Sequence, residues 1–241
     1  VPAPAAAIPT PPAEAAATPR ERRLKAQASA RRDHILAVAR DTFVELGLEG
    51  ASLREIARRA GYTAGALYSY FPCKEDVYAA LLADSLERLN AAVAAALPAD
   101  AAADPPAALR CAARAFFDFY RAHPRDLDLG FYLFQGLQPR GLTPAWNTRL
   151  NAQLRDALRP PEAALLALGR PPGEAVAEVT ALFAHAVGLL LLSHTGRIRM
   201  FGQASDALFD RYVDALLARA AVPAAVAAPA RPGRVRRKAS P

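Results

Sequence analysis

Between Ser52 and Lys74 the chain reads SLREIARRAGYTAGALYSYFPCK, and this stretch restricts the possible folds more than any other. Ser52-Leu53-Arg54-Glu55 has the pattern of a capping box. The Ser52 hydroxyl can take a free backbone N–H, and Glu55 can reach back to the cap. Leu53, Ile56, Ala57 and Ala60 then recur at helical spacing and define an inner face. Gly61 supplies a tight turn, and Thr63 is placed to cap a second short helix over 64–70. Phe71-Pro72 stops that helix. Two short helices joined through one glycine are therefore predicted.

The flanking segments continue the helical pattern. Ile35, Val38, Ala39, Thr42, Phe43 and Leu46 form an apolar stripe that predicts a helix over 30–46, with Gly47 suited to the left-handed turn that ends it. A longer helix is expected over 74–97, carrying Val77, Leu81, Leu82, Leu86, Leu89 and Val93. After a break at 98–106, further helices are expected at 107–122, 125–136, 144–158, 161–168, 173–194 and 204–221, with Pro124, Gly141, Pro160, Pro171, Pro172 and Gly202 at the joints. No alternating pattern suggests a sheet. Ala is abundant and is the best helix former, so the fold class expected is all-α. Four regions follow: a disordered Ala/Pro-rich and basic arm at 1–28, a first helical domain at 29–78, a second at 79–221, and a disordered basic tail at 222–241.

Of the 241 residues, 53% are hydrophobic, enough for a substantial core, and the formal net charge is +7. Distribution of charge tells more than its sum. Arg20, Arg22, Arg23, Lys25, Arg31 and Arg32 face one nearby acid, Glu21, and Arg231, Arg234, Arg236, Arg237 and Lys238 have none among them. Such clusters suit nucleic acid, or are simply solvated ends. Two cysteines, Cys73 and Cys111, are too few for a disulfide framework and match a reduced cytoplasmic protein. The N-terminal stretch lacks the charged start and apolar centre of a secretion signal. The longest apolar run, around 181–193, is shorter than the ~20 residues of a bilayer span, so no membrane partner is expected. No phosphate-binding glycine loop, nucleophile elbow, zinc spacing or apolar carboxylate pair is present. An enzyme, a metal and a cofactor are accordingly not expected.

Two short helices with a glycine turn fit a helix-turn-helix, whose second helix enters the major groove of DNA. That second helix is unusual, because no charged side chain occurs from Gly61 to Pro72. Ala64, Gly65 and Ala66 are small and let the backbone approach a duplex. Thr63, Tyr68, Ser69 and Tyr70 offer hydroxyls to phosphate oxygens, and Leu67 and Phe71 are placed to pack inward. The segment 30–80 resembles the DNA-binding domain of TetR-family transcriptional regulators. The matching positions are Ile35, Ala39, Phe43 and Gly47; then Ser52, Ile56, Ala57, Ala60 and Gly61; then Thr63, Gly65, Leu67, Tyr68, Tyr70 and Phe71; and finally Lys74 and Glu75.

The resemblance implies that Thr63, Tyr68, Tyr70 and Lys74 grip phosphates, that Ala64 and Gly65 lie against base edges, and that Ser52 and Arg54 touch the backbone from the preceding helix. Tyr68 and Tyr70 are otherwise ordinary half-buried aromatics. Two positions depart from the pattern. Tyr62 stands where a small aliphatic is commoner. Cys73 stands where Ser, Asn or Asp usually caps the next helix; a thiol is a poor cap, so the position is either tolerated drift or a redox switch, because a helix N-terminus beside Lys74 would lower its thiol pKa.

For the second domain the resemblance implies a small-molecule effector pocket and a homodimer interface. Phe116, Phe119, Tyr120, Phe131, Phe134, Trp146 and Phe183 are the candidate pocket residues, for a hydrophobic or aromatic effector; each could equally fill a core. Leu182, Ala186 and Leu190 on one late helix, with Leu208, Tyr212 and Leu216 on the next, are the candidate dimer interface, pairing as a four-helix bundle. His185 and His194 suit a helix core or interface better than a metal. The expected function is a ligand-responsive regulator, a repressor in the commoner case, that holds palindromic operator DNA as a dimer. The alternative is a helical small-molecule-binding or adaptor protein that has lost specific DNA binding.

Overall fold

The structure is a computed structural model, and it describes residues 18–131 and 142–222; Phe134 and the side chain of Phe131 lie outside the described residues, as do 1–17 and the C-terminal basic cluster. All regular structure among the described residues is helical. The helices are α1 (Pro19–Gly50), α2 (Leu53–Ala60), α3 (Ala64–Tyr68), α4 (Lys74–Ala96), α5 (Pro105–Ala122), α6 (Pro124–Phe131), α7 (Pro144–Ala167), α8 (Pro172–His194) and α9 (Ser205–Ala221), with a 3₁₀ turn at Arg197–Phe201 between the last two. The chain divides into two compact units, residues 1–80 and 81–241, with the boundary inside α4.

In the first unit α1, α2, α3 and the start of α4 enclose a small core of Ile35, Ala39, Phe43, Ile56, Leu67 and Val77, each almost fully buried. Phe43 meets Tyr78 edge to face, with ring centroids 5.8 Å apart, an arrangement favoured by the ring quadrupoles. Thr42 is buried among these side chains, and its hydroxyl donates to the Val38 carbonyl at 2.8 Å. Helix α1 starts at Pro19, eleven residues before the expected start, so residues 19–28 are helical where a disordered arm was expected. Thr18 and Glu21 form a reciprocal capping box there, and Pro19 occupies the first helical position. Gly47, with φ 69° and ψ 171°, interrupts the helix at the expected place, and one further turn follows before Ala51.

The second unit is a helical bundle. Helix α5 packs against α7, α8 and α9, and α8 packs against α7 and α9. Phe117 of α5 stacks on Phe209 of α9 with centroids 4.3 Å apart. Arg110 and Arg114 of α5 pair with Asp214 and Asp210 of α9 along the edge of that contact. Asp104 and Thr143 cap α5 and α7, and a proline follows each cap.

Two joints differ from expectation. Pro160 and Pro161 do not separate two helices, because α7 runs through them. The prolines remove two helical N–H donors. Tertiary packing holds the turn together instead: Ala157, Leu158, Pro161, Ala164 and Leu165 are buried, and Arg155 pairs with Glu162 at 2.8 Å across the gap. Helix α8 extends well beyond the apolar run seen in the sequence. Its 23 residues, with a most apolar stretch of mean hydropathy 2.0, are long and apolar enough to cross a membrane. Here Val179, Leu182, Ala186, Leu189 and Leu190 are buried within the bundle.

Candidate nucleic-acid interface

The α2–α3 pair is built by three local devices. The Ser52 hydroxyl accepts the N–H of Glu55 at 3.2 Å, which starts α2. Gly61 then takes a left-handed conformation with φ 74°, and the Tyr62 N–H returns to the Ala57 carbonyl at 2.9 Å. This is the six-residue closure of a Schellman turn, where a side chain on the glycine would clash with its own backbone. Finally the Thr63 hydroxyl accepts the Ala66 N–H at 3.2 Å and opens α3. The expected capping box at Ser52 is only half formed. Glu55 does not close it, since its carboxylate accepts from Arg58 and Arg59, and those guanidinium groups hold it down to about 2. Arg59 also pairs with Glu45 of α1, which clamps α2 to α1.

Helix α3 buries Leu67, and Phe71 beyond it, against this core. The opposite side presents Thr63, Gly65, Tyr68 and Ser69 to solvent, with Tyr68 51% exposed. Ala64 and Tyr70 are half-buried, and Ser52 and Arg54 are exposed on α2. Both cap hydroxyls use a lone pair on a backbone N–H, which leaves each O–H proton able to donate to an anion. A Cβ built on Gly65 would meet no atom within 4 Å. Nothing among the described residues requires glycine there.

Lys74 is placed differently from its expected role. Its ammonium donates to the carbonyls of Leu48, at 2.8 Å, and Glu49, at 3.4 Å. It therefore caps the carbonyl end of α1 from the start of α4. Tyr62 packs edge-on against His34, whose Nε2 lies 3.2 Å from the Ala60 carbonyl; this contact accommodates the bulk that departs from the family pattern. Cys73 does not have a lowered thiol pKa. Partial burial and the carboxylate of Asp76, which accepts its S–H at 3.1 Å, push the thiol up to about 11. With the Lys74 ammonium directed at carbonyls, the electropositive setting of a redox cysteine is not formed.

In the second unit a cavity of about 250 Å³ opens among α4, α6 and α7. Leu82, Leu86, Leu150 and Leu154 give its apolar wall, and Ser85, Tyr120, Asp126, Asn147 and Asn151 its polar groups. Asp126 is buried and pairs with Arg88 at 2.9 Å. Burial and the Asp126 charge push the Tyr120 hydroxyl well above its usual range. Of the described candidate pocket residues, only Tyr120 lines this cavity. Phe116 and Phe119 are buried in the core, where Phe116 meets Phe183 edge to face at 5.8 Å. Trp146 is half-buried beneath the Arg149 guanidinium. Sequence reasoning missed Ser85, Asn147 and Asn151; the i, i+4 spacing of the two asparagines was the available signal.

The candidate dimer residues fall into two groups. Leu182, Ala186, Leu190 and Leu216 are buried inside the single chain, so they form its core. Leu208 and Tyr212 are half-buried. The outward side of α8 carries Ala177, Ala181 and Ala184, all exposed, with Gly188 and Leu191 half-buried. Tyr212 stacks on His185 with centroids 4.1 Å apart, and the buried His185 Nε2 has no hydrogen-bond partner. His194 lies 3.5 Å from the Asp128 carboxylate. Among the described residues no cluster of three His, Cys, Asp or Glu side chains could hold a metal ion.

Two family models match the chain: bacterial regulatory proteins of the tetR family over residues 35–81, and the tetracyclin repressor-like C-terminal domain over residues 109–216. Similar proteins include the HTH-type transcriptional activator FasR of Mycolicibacterium smegmatis, 38% identical over 37% of this chain and 40% of that protein. Another is the HTH-type transcriptional repressor BepR of Brucella suis, 41% identical over 25% of this chain and 29% of its own length. The chain thus spans well under half of these relatives. Among solved structures, a tetR-family regulatory protein from Rhodococcus RHA1 superposes with a TM-score of 0.62 at 20% identity, over 81% of this chain and 98% of the other. The TetR-family regulator PfmR from Thermus thermophilus gives 0.57 at 22% identity, over 84% and 97%. An exposed, uncharged α3 behind a glycine turn, a helical second unit and both family matches agree: the chain belongs to the TetR family of DNA-binding transcriptional regulators, which are not enzymes.

Proposed function

We propose that this chain acts as a homodimer on palindromic operator DNA, in the bacterial cytoplasm, and that a small molecule releases it. The observation that carries this reading is the open space over Gly65 on the solvent side of α3. A glycine at the second position of a five-residue helix loses more backbone freedom on folding than alanine would, and no contact among the described residues calls for it. A base-pair edge approaching the backbone supplies the missing reason. Thr63, Tyr68, Tyr70 and Ser52 then donate hydroxyl protons to phosphates, and Arg54 adds charge. These groups position the helix, while the small face of Ala64 and Gly65 reads shape and base edges.

A palindrome needs two copies about a two-fold axis. The Ala177, Ala181, Ala184 and Gly188 side of α8 suits such an axis, because small residues let two helices approach closely, with α9 completing a four-helix bundle. The effector fits the cavity beside Asp126, and the lining favours a small, mostly apolar molecule with one or two polar groups. Helix α4 contributes Leu82, Ser85 and Leu86 to that cavity and Lys74 to the first unit, so it is the lever between effector and DNA. The effector must bind the DNA-free dimer more tightly for release to occur. Repression follows when the dimer covers a promoter.

Selection of bound sites from random duplexes tests the reading. A two-fold symmetric consensus, weakened by Tyr68→Phe, is the expected result. Folded protein that enriches no sequence at low salt would instead leave a helical small-molecule-binding or adaptor protein.

A further inference from the structure

We propose that the N-terminal part of α1, residues 19–32, is a second and sequence-tolerant DNA contact that grips phosphates beside α3. The proposal rests on the reading of α2–α3 as a DNA-reading motif. Six cations, Arg20, Arg22, Arg23, Lys25, Arg31 and Arg32, stand on this segment against one acid. Every residue from Thr18 to His34 is exposed. The acid, Glu21, is committed to the helix start, since its carboxylate accepts the Thr18 N–H at 2.7 Å and the Thr18 hydroxyl at 2.9 Å.

The distribution of these cations around the helix matters. At roughly 100° per residue, Arg20, Arg23 and Arg31 share one flank and Arg22, Lys25 and Arg32 the opposite one. No apolar stripe lies between them, for Leu24 is the sole large apolar side chain from 19 to 32 and it is 56% exposed. A helix without an apolar face has nothing to dock on a protein core or insert into a lipid surface. Like charges on an exposed helix repel one another and weaken it. A polyanion relieves both problems. Cations on two flanks suit a rod lying against the phosphates that border a groove.

The root of the segment ties it to the motif. The Arg32 guanidinium lies over the Phe71 ring, 5.8 Å from its centre, directly after Tyr70 at the end of the recognition segment. Two residues on, His34 contacts Tyr62 and the Ala60 carbonyl at the α2–α3 turn. The basic rod therefore starts at the edge of the surface that α3 presents. It belongs to the same compact unit and adds charge where α3 has none.

The test measures the salt dependence of binding by the full chain, on its selected duplex and on a scrambled one of equal length. The wild type is compared with an R20Q/R22Q/R23Q/K25Q variant and with Gly65→Leu. Each neutralised phosphate adds about 0.9 to the slope of log K against log salt. The quadruple variant is expected to lose about 2 or more from that slope on both duplexes, with its thermal midpoint no lower and its preferred sequence unchanged. Gly65→Leu is expected to lose the preference and keep the slope. An unchanged slope in the quadruple variant, with the consensus still selected, overturns the arm and leaves the motif standing. Equal binding to both duplexes by the wild type, with the slope still falling in the quadruple variant, overturns the motif reading and keeps the arm. A wild type that binds neither duplex at low salt overturns both.

Discussion

The Lys74 ammonium donates to the Leu48 carbonyl at 2.8 Å, so the first residue of α4 caps the last turn of α1. No basic residue of α1 itself lies in that turn, and Lys74 supplies the cation that its carbonyl end favours. Lys74→Ala is therefore expected to lower stability by about 1.5–3 kcal/mol, the range for a hydrogen bond to a charged group. Urea unfolding followed by circular dichroism measures this. A residue that only touched phosphate would leave the midpoint unchanged and alter DNA affinity alone.

Gly65 separates folding from recognition. Its Cβ position is open, so Gly65→Ala should fit without strain and stabilise the protein by about 0.4–1 kcal/mol through the unfolded chain. The same methyl group enters the space assigned to a base edge, and affinity for the selected duplex should fall at least about tenfold, or ~1.4 kcal/mol. Thermal unfolding and a binding titration on one preparation give both numbers. Higher stability with unchanged affinity would show that α3 keeps its glycine for another reason.

What could be read in the sequence was local. Ser52, Gly61 and Thr63 each signal their own role, because a cap or a left-handed turn depends on a few neighbouring atoms. The partners of Glu55 were not legible: a capping box and two arginines, Arg58 and Arg59, compete for one carboxylate, and geometry settles the contest. On α8 the apolar side chains run nearly all round, so periodicity could not say which side faces the core. Leu182 and Ala177 look alike in the sequence and differ only in what covers them. The cavity joins Ser85, Asp126 and Asn147 from three helices, a combination that no spacing rule contains. Pro160 and Pro161 read as a break because propensity ignores the packing that carries α7 through them.

His185 ties stability to pH. Burial holds its imidazole below the usual range, and its Nε2 is buried without a partner. The folded state thus binds the proton less readily than the unfolded chain. Above the unfolded value of about 6.5 both states are neutral and the full stability is present. As pH falls below that value only the unfolded state gains the proton, so stability drops. His185→Phe keeps a ring against Tyr212 and removes the titration. The wild type should melt lower at pH 5.5 than at pH 7.5, and the variant should show a smaller difference. Equal pH dependence in the two proteins would place the acid sensitivity elsewhere.

Cys73 offers the opposite case, a thiol that its surroundings hold protonated. With its value pushed up to about 11 from an ordinary 9.0, thiolate at neutral pH is about 100-fold scarcer than for a free cysteine. In a Cys111→Ser background, alkylation by iodoacetamide at pH 7.5 should be slower than that of a model thiol by about that factor. Asp76→Asn removes the negative charge beside the sulfur, so alkylation should accelerate. DNA affinity should survive mild peroxide unchanged. Rapid alkylation of the folded protein, or peroxide-induced loss of DNA binding that Cys73→Ser abolishes, would restore a redox role to this position.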